Sequence, residues 1–169
     1  MKAVCTTFLL AGTALFLAGL AVPQRLVLPV RGATRADWNP ETFWHSPWGA
    51  SGVHKGIDIF AREGTPVFSA GPGLVLFAGQ LGRGGNAVVV MGPKWRLHYY
   101  AHLRESDATA GHFVSKGETL GTVGATGNAV GKPPHLHYAL VTPIPYPWHA
   151  DRSVQGWKKM FYLNPFDHL

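Results

Sequence analysis

The chain has 169 residues, which is enough for one hydrophobic core and too few for two well-sized domains. Only 14% of the residues are charged while 12% are aromatic, which excludes the polar, highly charged composition of a disordered chain. The 21 glycines and 13 prolines are spread along the sequence and exclude a long helical bundle, because both residues interrupt helix interiors. We therefore expect a compact domain rich in strands and turns.

The N-terminal segment differs from the rest of the chain. After Lys2 no charged residue occurs before Arg25, and the stretch between them is almost entirely apolar. This pattern predicts an export signal peptide over residues 1–21, with the small residues Gly19 and Ala21 placed for cleavage after the latter. The apolar run is also long enough for an uncleaved membrane anchor, so both alternatives stay open at this point. We expect an exported protein of the periplasm or cell envelope, with membrane contact only through this segment if it is retained.

The predicted mature domain, residues 22–169, contains no cysteine, because the one cysteine of the chain is Cys5. Disulfides and thiolate metal sites are therefore excluded, and any metal must be held by His, Asp or Glu. The formal net charge of +6 for the whole chain suits an anionic partner outside the cytoplasm. No dense Lys/Arg cluster interleaved with aromatic residues occurs, so we expect no nucleic-acid binding.

From Gly64 onward, short apolar runs bounded by glycine predict a series of strands. In chain order the strand-like segments are Leu74–Ala78, Ala87–Met91, Arg96–Leu103, two strands within Val114–Gly124, and His135–Val141. Several short strands at regular spacing are typical of an all-β sandwich or barrel.

Other segments flank these strands. The loop Trp38–Trp48 contains three tryptophans, of which Trp44 and Trp48 are expected to pack in the core rather than line a groove. Toward the C-terminus, one helix is expected over Asp151–Phe161. The tetrapeptide GNAV occurs at residues 85–88 and 127–130, which predicts two similar turns.

Histidine placement points to a metal site. His135 and His137 are separated by one residue in a strand-like run, so their side chains should share one face. His54 and Asp58, in the sequence HKGID, would lie about 13 Å apart in an extended strand, so the segment must bend if both bind one ion. Gly56 lies between them and permits a bend. His54, Asp58 and His137 together make a two-His, one-carboxylate set that suits Zn²⁺ with a fourth position open.

His102 and His135 are then two further imidazoles near this set. By the strand period of two, His102 should share one face with His98 and Tyr100, and we interpret Tyr100 as a packing residue. No H-E-x-x-H motif is present in the sequence, so a glutamate base of that kind is excluded.

The order and spacing of these motifs resemble the lysostaphin-type (LytM-type) zinc metalloendopeptidases, which cleave bacterial peptidoglycan. The similar stretch covers residues 52–141 and contains, in order, HKGID, GTPV, GLVLFAG, YAHL, VSKGETLGTVGATG and PHLHY. The resemblance implies an all-β, antiparallel barrel-sandwich hybrid (duplicated hybrid motif) with short helical segments. It also implies a zinc endopeptidase domain over residues 22–169, with peptidoglycan stem peptides or cross-links as its substrate.

The resemblance places the family's functional residues on the same histidines and aspartate. Its zinc ligands fall on His54, Asp58 and His137, and its catalytic histidines on His102 and His135. One Zn²⁺ per chain is implied, which would activate water and polarise the peptide carbonyl. We expect His135 to transfer the proton and His102 to stabilise the developing oxyanion, although the two roles can be exchanged.

Three other functions would fit parts of the sequence. A lipoyl- or biotin-carrier domain shares glycine turns such as VSKGETLG, but the modified lysine at a hairpin tip is missing. A D,D-carboxypeptidase of the other zinc type needs an E-x-W-H motif, which is also missing. The remaining alternative is a non-catalytic wall-binding protein or an activator of another wall hydrolase. For an active enzyme, the sequence favours a D-Ala to diaminopimelate cross-link over a glycine bridge, because no wall-targeting module is attached.

Overall fold

The structure is a computed structural model that describes residues 2–169, so Met1 of the predicted signal segment lies outside the described part. The first element, α1, spans Lys2–Ala21. Its C-terminal half contacts the domain through Trp95, whose ring stacks on Phe16 and whose indole N–H donates to the Phe16 carbonyl at 2.9 Å. Across residues 2–169, no helix is long and apolar enough to cross a membrane.

Nine strands follow α1 within the described residues, and every pairing among them is antiparallel. They are β1 (Ile57–Phe60), β2 (Pro66–Phe68), β3 (Gly73–Gln80), β4 (Asn86–Met91), β5 (Leu97–Ser106), β6 (Phe113–Val114), β7 (Thr119–Val123), β8 (His135–Val141) and β9 (Tyr162–Leu163). The main order is β1-β8-β5-β4-β3-β6, with β7 joining β2 to β5 and β9 extending from β8. The predicted all-β antiparallel fold is confirmed.

The remaining helical residues form short 3₁₀ turns in the connections. These are Arg35–Asp37, Pro40–Thr42, Gly49–Ser51, Gly82–Gly84, Pro93–Trp95, Gly127–Ala129, Pro147–His149, Gly156–Phe161 and Pro165–Asp167. The strand-rich domain therefore has little regular helix after α1, as its glycine and proline content indicates.

Alternation along the strands places one face of the sheet in the core. Ile57, Ile59, Tyr100, Leu136 and Tyr138 are all fully buried there. The buried hydroxyl of Tyr100 accepts a hydrogen bond from the Ala70 N–H at 2.8 Å, which satisfies a polar group that burial would otherwise leave unpaired. The interpretation of Tyr100 as a packing residue is confirmed.

The predicted helix over Asp151–Phe161 is wrong for its first half. Helical residues begin at Gly156 and form a 3₁₀ turn that ends at Phe161. The Asp151 carboxylate accepts a hydrogen bond from the Ser153 N–H at 2.9 Å, and Gln155 adopts a left-handed backbone with φ of 54°. Local side-chain to backbone bonding of this kind competes with helix formation.

The expectation of two similar GNAV turns is also wrong. Residues 86–88 belong to β4, whereas residues 127–129 form a 3₁₀ turn. What the two segments share is a glycine with left-handed φ, 63° at Gly85 and 64° at Gly127. The two glycines pack against each other, because a Cβ on Gly127 would lie 2.3 Å from the Arg83 carbonyl oxygen and 2.4 Å from the Gly85 nitrogen.

Replacing Gly127 by Ala should destabilise the domain more than replacing Gly131 by Ala. Both glycines have left-handed φ, but a Cβ on Gly131 would meet nothing within 4 Å. The φ strain is therefore common to both variants, and the backbone clash is specific to G127A. We expect G127A to lower the free energy of unfolding by about 1–3 kcal/mol more than G131A, measured by urea denaturation. Equal losses in the two variants would contradict this account of the paired glycines.

Candidate metal centre

The pairing of β1 with β8 brings the acidic and imidazole groups of the site together. In this antiparallel register Asp58 lies directly opposite His137. Side chains of directly opposed residues lie on the same face of the sheet. The Asp58 Oδ1 atom is accordingly 2.8 Å from His137 Nδ1.

His54 completes the group from the bend that precedes β1. Its Nε2 atom lies 3.1 Å from Asp58 Oδ1 and 3.1 Å from His137 Nδ1, so the predicted bend is confirmed. The role of Gly56 differs from the expectation, because this residue is outside the left-handed region. A Cβ at this position would lie 2.5 Å from the Tyr138 carbonyl oxygen and 3.0 Å from the His137 ring. Glycine is therefore required for close approach of the bend to β8.

These three side chains have a donor set and spacing that fit a zinc ion. Among the described residues, His54, Asp58 and His137 each offer one ligand atom, and these atoms all lie within 4.8 Å of one another. Ligand atoms held about 2.0–2.1 Å from one tetrahedral zinc ion are about 3.3 Å apart. The observed separations of 2.8–3.1 Å are close to that value. Two imidazole nitrogens and one carboxylate oxygen are also a common donor set of catalytic zinc.

Backbone carbonyls fix which nitrogen of three histidine rings faces the site. The Nδ1 atoms of His54, His102 and His135 donate to carbonyl oxygens at 3.1, 2.9 and 2.8 Å, respectively. A carbonyl oxygen can only accept, so Nδ1 carries the proton in each neutral ring. The Nε2 atom of each ring is then left with a free lone pair.

The prediction that His102 shares a face with His98 and Tyr100 is wrong. The register of β5 against β4 shifts between Asn86 and Val88, and His102 has a left-handed φ of 65°. This geometry is a β-bulge, which interrupts the alternation of side chains. The His102 side chain therefore lies on the opposite face of the sheet from the buried Tyr100 side chain.

The bulge places His102 beside the two histidines of β8. Its ring centroid lies 5.1 Å from that of His135 and 5.9 Å from that of His137. His135 and His137 line the same cleft, so the prediction that they share one face is confirmed.

Burial and neighbouring charges set the protonation of the site. Burial, and then the charges of His137 and His135, lower the pKa of His102 to about 4. Burial alone would raise the pKa of Asp58, but the close contacts of its carboxylate with the His137 and His54 imidazoles outweigh burial and hold that pKa well below its usual range. At neutral pH, His102 is therefore a neutral imidazole and Asp58 a carboxylate.

All five predicted site residues line one cleft of about 710 Å³. Four aromatic side chains that the sequence did not place at the site also line this cleft, namely Trp48, Phe60, Tyr99 and Tyr162. The expectation of core packing is correct for Trp44, which is buried. It is wrong for Trp48, which lines the cleft and stacks on His54 with ring centroids 4.2 Å apart. Tyr99 could have been identified, because it must face the opposite side of β5 from Tyr100.

The cleft wall beside His54 is positively charged. Lys55 and Arg83 both line the cleft. Burial lowers the pKa of Lys55, and the nearby charges of Lys158 and Arg83 lower it further. The cations on this wall are thus close enough to repel one another.

Comparison with known proteins identifies relatives of this chain. The model of "Peptidase family M23" matches residues 52–145. The "DD-carboxypeptidase/endopeptidase Mpg" of Neisseria meningitidis is 42% identical over 86 residues, covering 51% of this chain and 19% of that protein. The "L-Ala--D-Glu endopeptidase" of Bacillus subtilis is 35% identical over 144 residues, covering 80% of this chain and 40% of that protein. The chain thus spans less than half the length of either relative.

Solved structures share the fold. The catalytic domain of lysostaphin from Staphylococcus simulans has a TM-score of 0.59 and 26% identity, covering 72% of this chain and 84% of that domain. A zinc-containing peptidase from Vibrio cholerae has a TM-score of 0.55 and 27% identity, covering 69% of this chain and 37% of that protein. Because the family match covers more than half of the chain and includes the whole group of His54, Asp58 and His137, the chain belongs to peptidase family M23.

Proposed function

We propose that this chain is a zinc-dependent endopeptidase that hydrolyses peptide bonds in peptidoglycan stem peptides or cross-links. The observation that carries the proposal is the convergence in one cleft of a three-atom metal-ligand group and two carbonyl-anchored histidines. Membership of peptidase family M23 supports it. Relatives named as a DD-endopeptidase and an L-Ala--D-Glu endopeptidase support peptidoglycan as the substrate.

In this proposal His54 Nε2, Asp58 Oδ1 and His137 Nδ1 hold one Zn²⁺ per chain. When bound, this ion acts as a Lewis acid that polarises the scissile carbonyl and lowers the pKa of water. The Asp58 carboxylate contributes the negative charge of the ligand group. The Thr42 carbonyl holds the His54 ring in the tautomer whose Nε2 faces the group.

The two remaining histidines would transfer protons and stabilise the negative charge that develops during the reaction. The neutral His102 has a free lone pair on Nε2, so it can accept a proton from the attacking water and return it to the leaving amine. His135 Nε2 lies 3.9 Å from Asp58 Oδ1, so this ring borders the ligand group, and in its protonated form it can donate to the developing oxyanion. We therefore propose His102 as the base and His135 as the oxyanion donor, the reverse of the roles expected from the sequence.

We further propose that the bond cut is the D-Ala to diaminopimelate cross-link rather than a glycine bridge. Relatives named as peptidoglycan DD-endopeptidases support this choice, and one of them, ShyC of Vibrio cholerae, is 35% identical over 106 residues. The second candidate function is an activator of another wall hydrolase. It would leave the ligand group and the anchored histidines without a chemical role.

Residues 1–21 are proposed as an export signal peptide and residues 22–169 as the mature enzyme of the periplasm or cell envelope. The end of α1 at Ala21 coincides with the proposed cleavage position. The cell-wall substrates proposed above lie outside the cytoplasm, which supports export. A retained, membrane-anchoring segment is the alternative.

Zinc content should separate ligands from catalytic histidines. Replacing His54, Asp58 or His137 by Ala should remove both zinc and activity, because two ligands hold the ion weakly. Replacing His102 or His135 by Ala should keep about one zinc per chain and lower turnover by about 10²–10⁴-fold. Elemental analysis beside muropeptide turnover measures both effects.

The same assay separates the roles of the two histidines. His135→Gln keeps a hydrogen-bond donor and should retain more activity than His102→Gln, whose amide is a poor base. The reverse order would restore the first assignment. Loss of zinc from the His135 variants but not from the His137 variant would reverse the ligand assignment within β8.

Purified cross-linked muropeptide dimers should be converted to monomers by the zinc-loaded protein. A chelator should block conversion and added zinc should restore it, with products identified by mass spectrometry. Persistence of the dimers while pentaglycine is cut would contradict the proposed bond. Failure to cut either substrate, together with stimulation of a wall amidase, would favour the activator function.

N-terminal sequencing of the protein from the cell envelope should give Val22 as the first residue. A chain that still begins at Met1 and fractionates with membranes would instead favour the retained segment.

A further inference from the structure

Three cations are tethered to one short turn on the wall of the cleft. The turn is Gly49–Ser51, which precedes the ligand His54. Arg83 Nη1 donates to the Ala50 carbonyl at 2.7 Å, and Lys55 Nζ donates to the Ser51 carbonyl at 3.0 Å. Both side chains also line the cleft.

The third cation, Lys158, is linked to the same turn through the side-chain amide of Gln155. Gln155 Nε2 donates to the Ser51 carbonyl at 3.0 Å, and Gln155 Oε1 accepts from Lys158 Nζ at 3.1 Å. Lys55, Arg83 and Lys158, the turn cations, thus come from three separate segments of the chain. Their hydrogen bonds converge, directly or through Gln155, on this one turn.

The turn cations have no acidic partner within the described residues. Ion pairs elsewhere join Arg104 to Glu63 and Glu105, and Lys159 to Asp151, but no carboxylate oxygen lies within 4.0 Å of a turn cation. Asp58 lines the same cleft, but His54 and His137 engage its Oδ1 atom. Like charges gathered in this way repel one another, and a bound anion would relieve that repulsion.

We propose that the turn cations bind a free carboxylate of the substrate peptide beside its scissile bond. This inference rests on the proposed function and narrows its substrate class. Lys55 and Arg83 line the same cleft as His54, so the anion they bind would belong to the molecule that occupies the candidate metal centre. The planar guanidinium of Arg83 can bind both oxygens of one carboxylate.

A carboxylate subsite formed by the turn cations would distinguish two classes of wall peptide. Stem peptides that contain D-Glu and diaminopimelate carry free carboxylates along their length. A glycine bridge carries none between its ends. The turn cations therefore favour cleavage next to an acidic residue and give a structural reason to prefer stem-peptide cross-links over glycine bridges.

The test compares cross-linked dimers whose stem carboxylates are free with the same dimers amidated at those positions. The wild-type protein should cleave the free acid with at least about tenfold higher kcat/KM, as expected for a charge-assisted hydrogen bond. Arg83→Gln should reduce that preference about tenfold, mainly through a higher KM for the free acid, and Lys158→Gln should reduce it less. Lys116→Gln removes the same charge from an exposed turn outside the cleft and should keep the wild-type preference.

Calorimetric titration of the same dimers into zinc-loaded His102→Ala protein separates this inference from the proposed function. Binding of the free acid should be about tenfold tighter than that of the amidated dimer, and the additional Arg83→Gln change should remove the difference. Equal cleavage and equal binding of both dimers would overturn the carboxylate subsite while leaving the endopeptidase intact. Carboxylate-dependent binding that Arg83→Gln abolishes, without cleavage by the wild type, would retain the subsite and overturn the proposed function.

Discussion

The register between β1 and β8 is the constraint on which the site depends. It sets Asp58 opposite His137 on the cleft face, and it buries Ile57, Ile59 and Tyr138 on the other face. A slip of one residue would exchange the two faces and move charged groups into the core. Hydrophobic burial in the core therefore holds the candidate ligands together, so the packing and the chemistry of these strands cannot be separated.

A departure from regular strand geometry adds His102 to the site. Thr126 braces this bulge through three hydrogen bonds. Its carbonyl accepts from His102 Nδ1, and its hydroxyl donates to the Leu103 carbonyl and accepts from the Asn86 N–H. The contact between Gly85 and Gly127 brings the Thr126 segment against the start of β4. Close glycine packing thus supports both the bulge and the orientation of the His102 ring.

The electrostatics of the cleft follow from the same arrangement. Burial disfavours charge on His102, while the neighbouring imidazoles of His137 and His54 keep Asp58 ionised. Negative charge is therefore concentrated at the candidate metal centre. Lys55 and Arg83 add positive charge along one wall. A peptide in the cleft would meet the metal centre and this basic wall together, which joins the proposed chemistry to the proposed selectivity.

Strands β1, β2 and β9 were not predicted, but the sequence by itself determined strands β3 to β8 and the shared face of the β8 histidines. These features follow from short-range periodicity and residue spacing, which are local properties of the chain. Only the tertiary structure decided the direction of His102 and the stacking of Trp48 on His54. A bulge depends on the register of the neighbouring strand, and stacking depends on the packing of distant segments, so neither is encoded in the spacing of nearby residues.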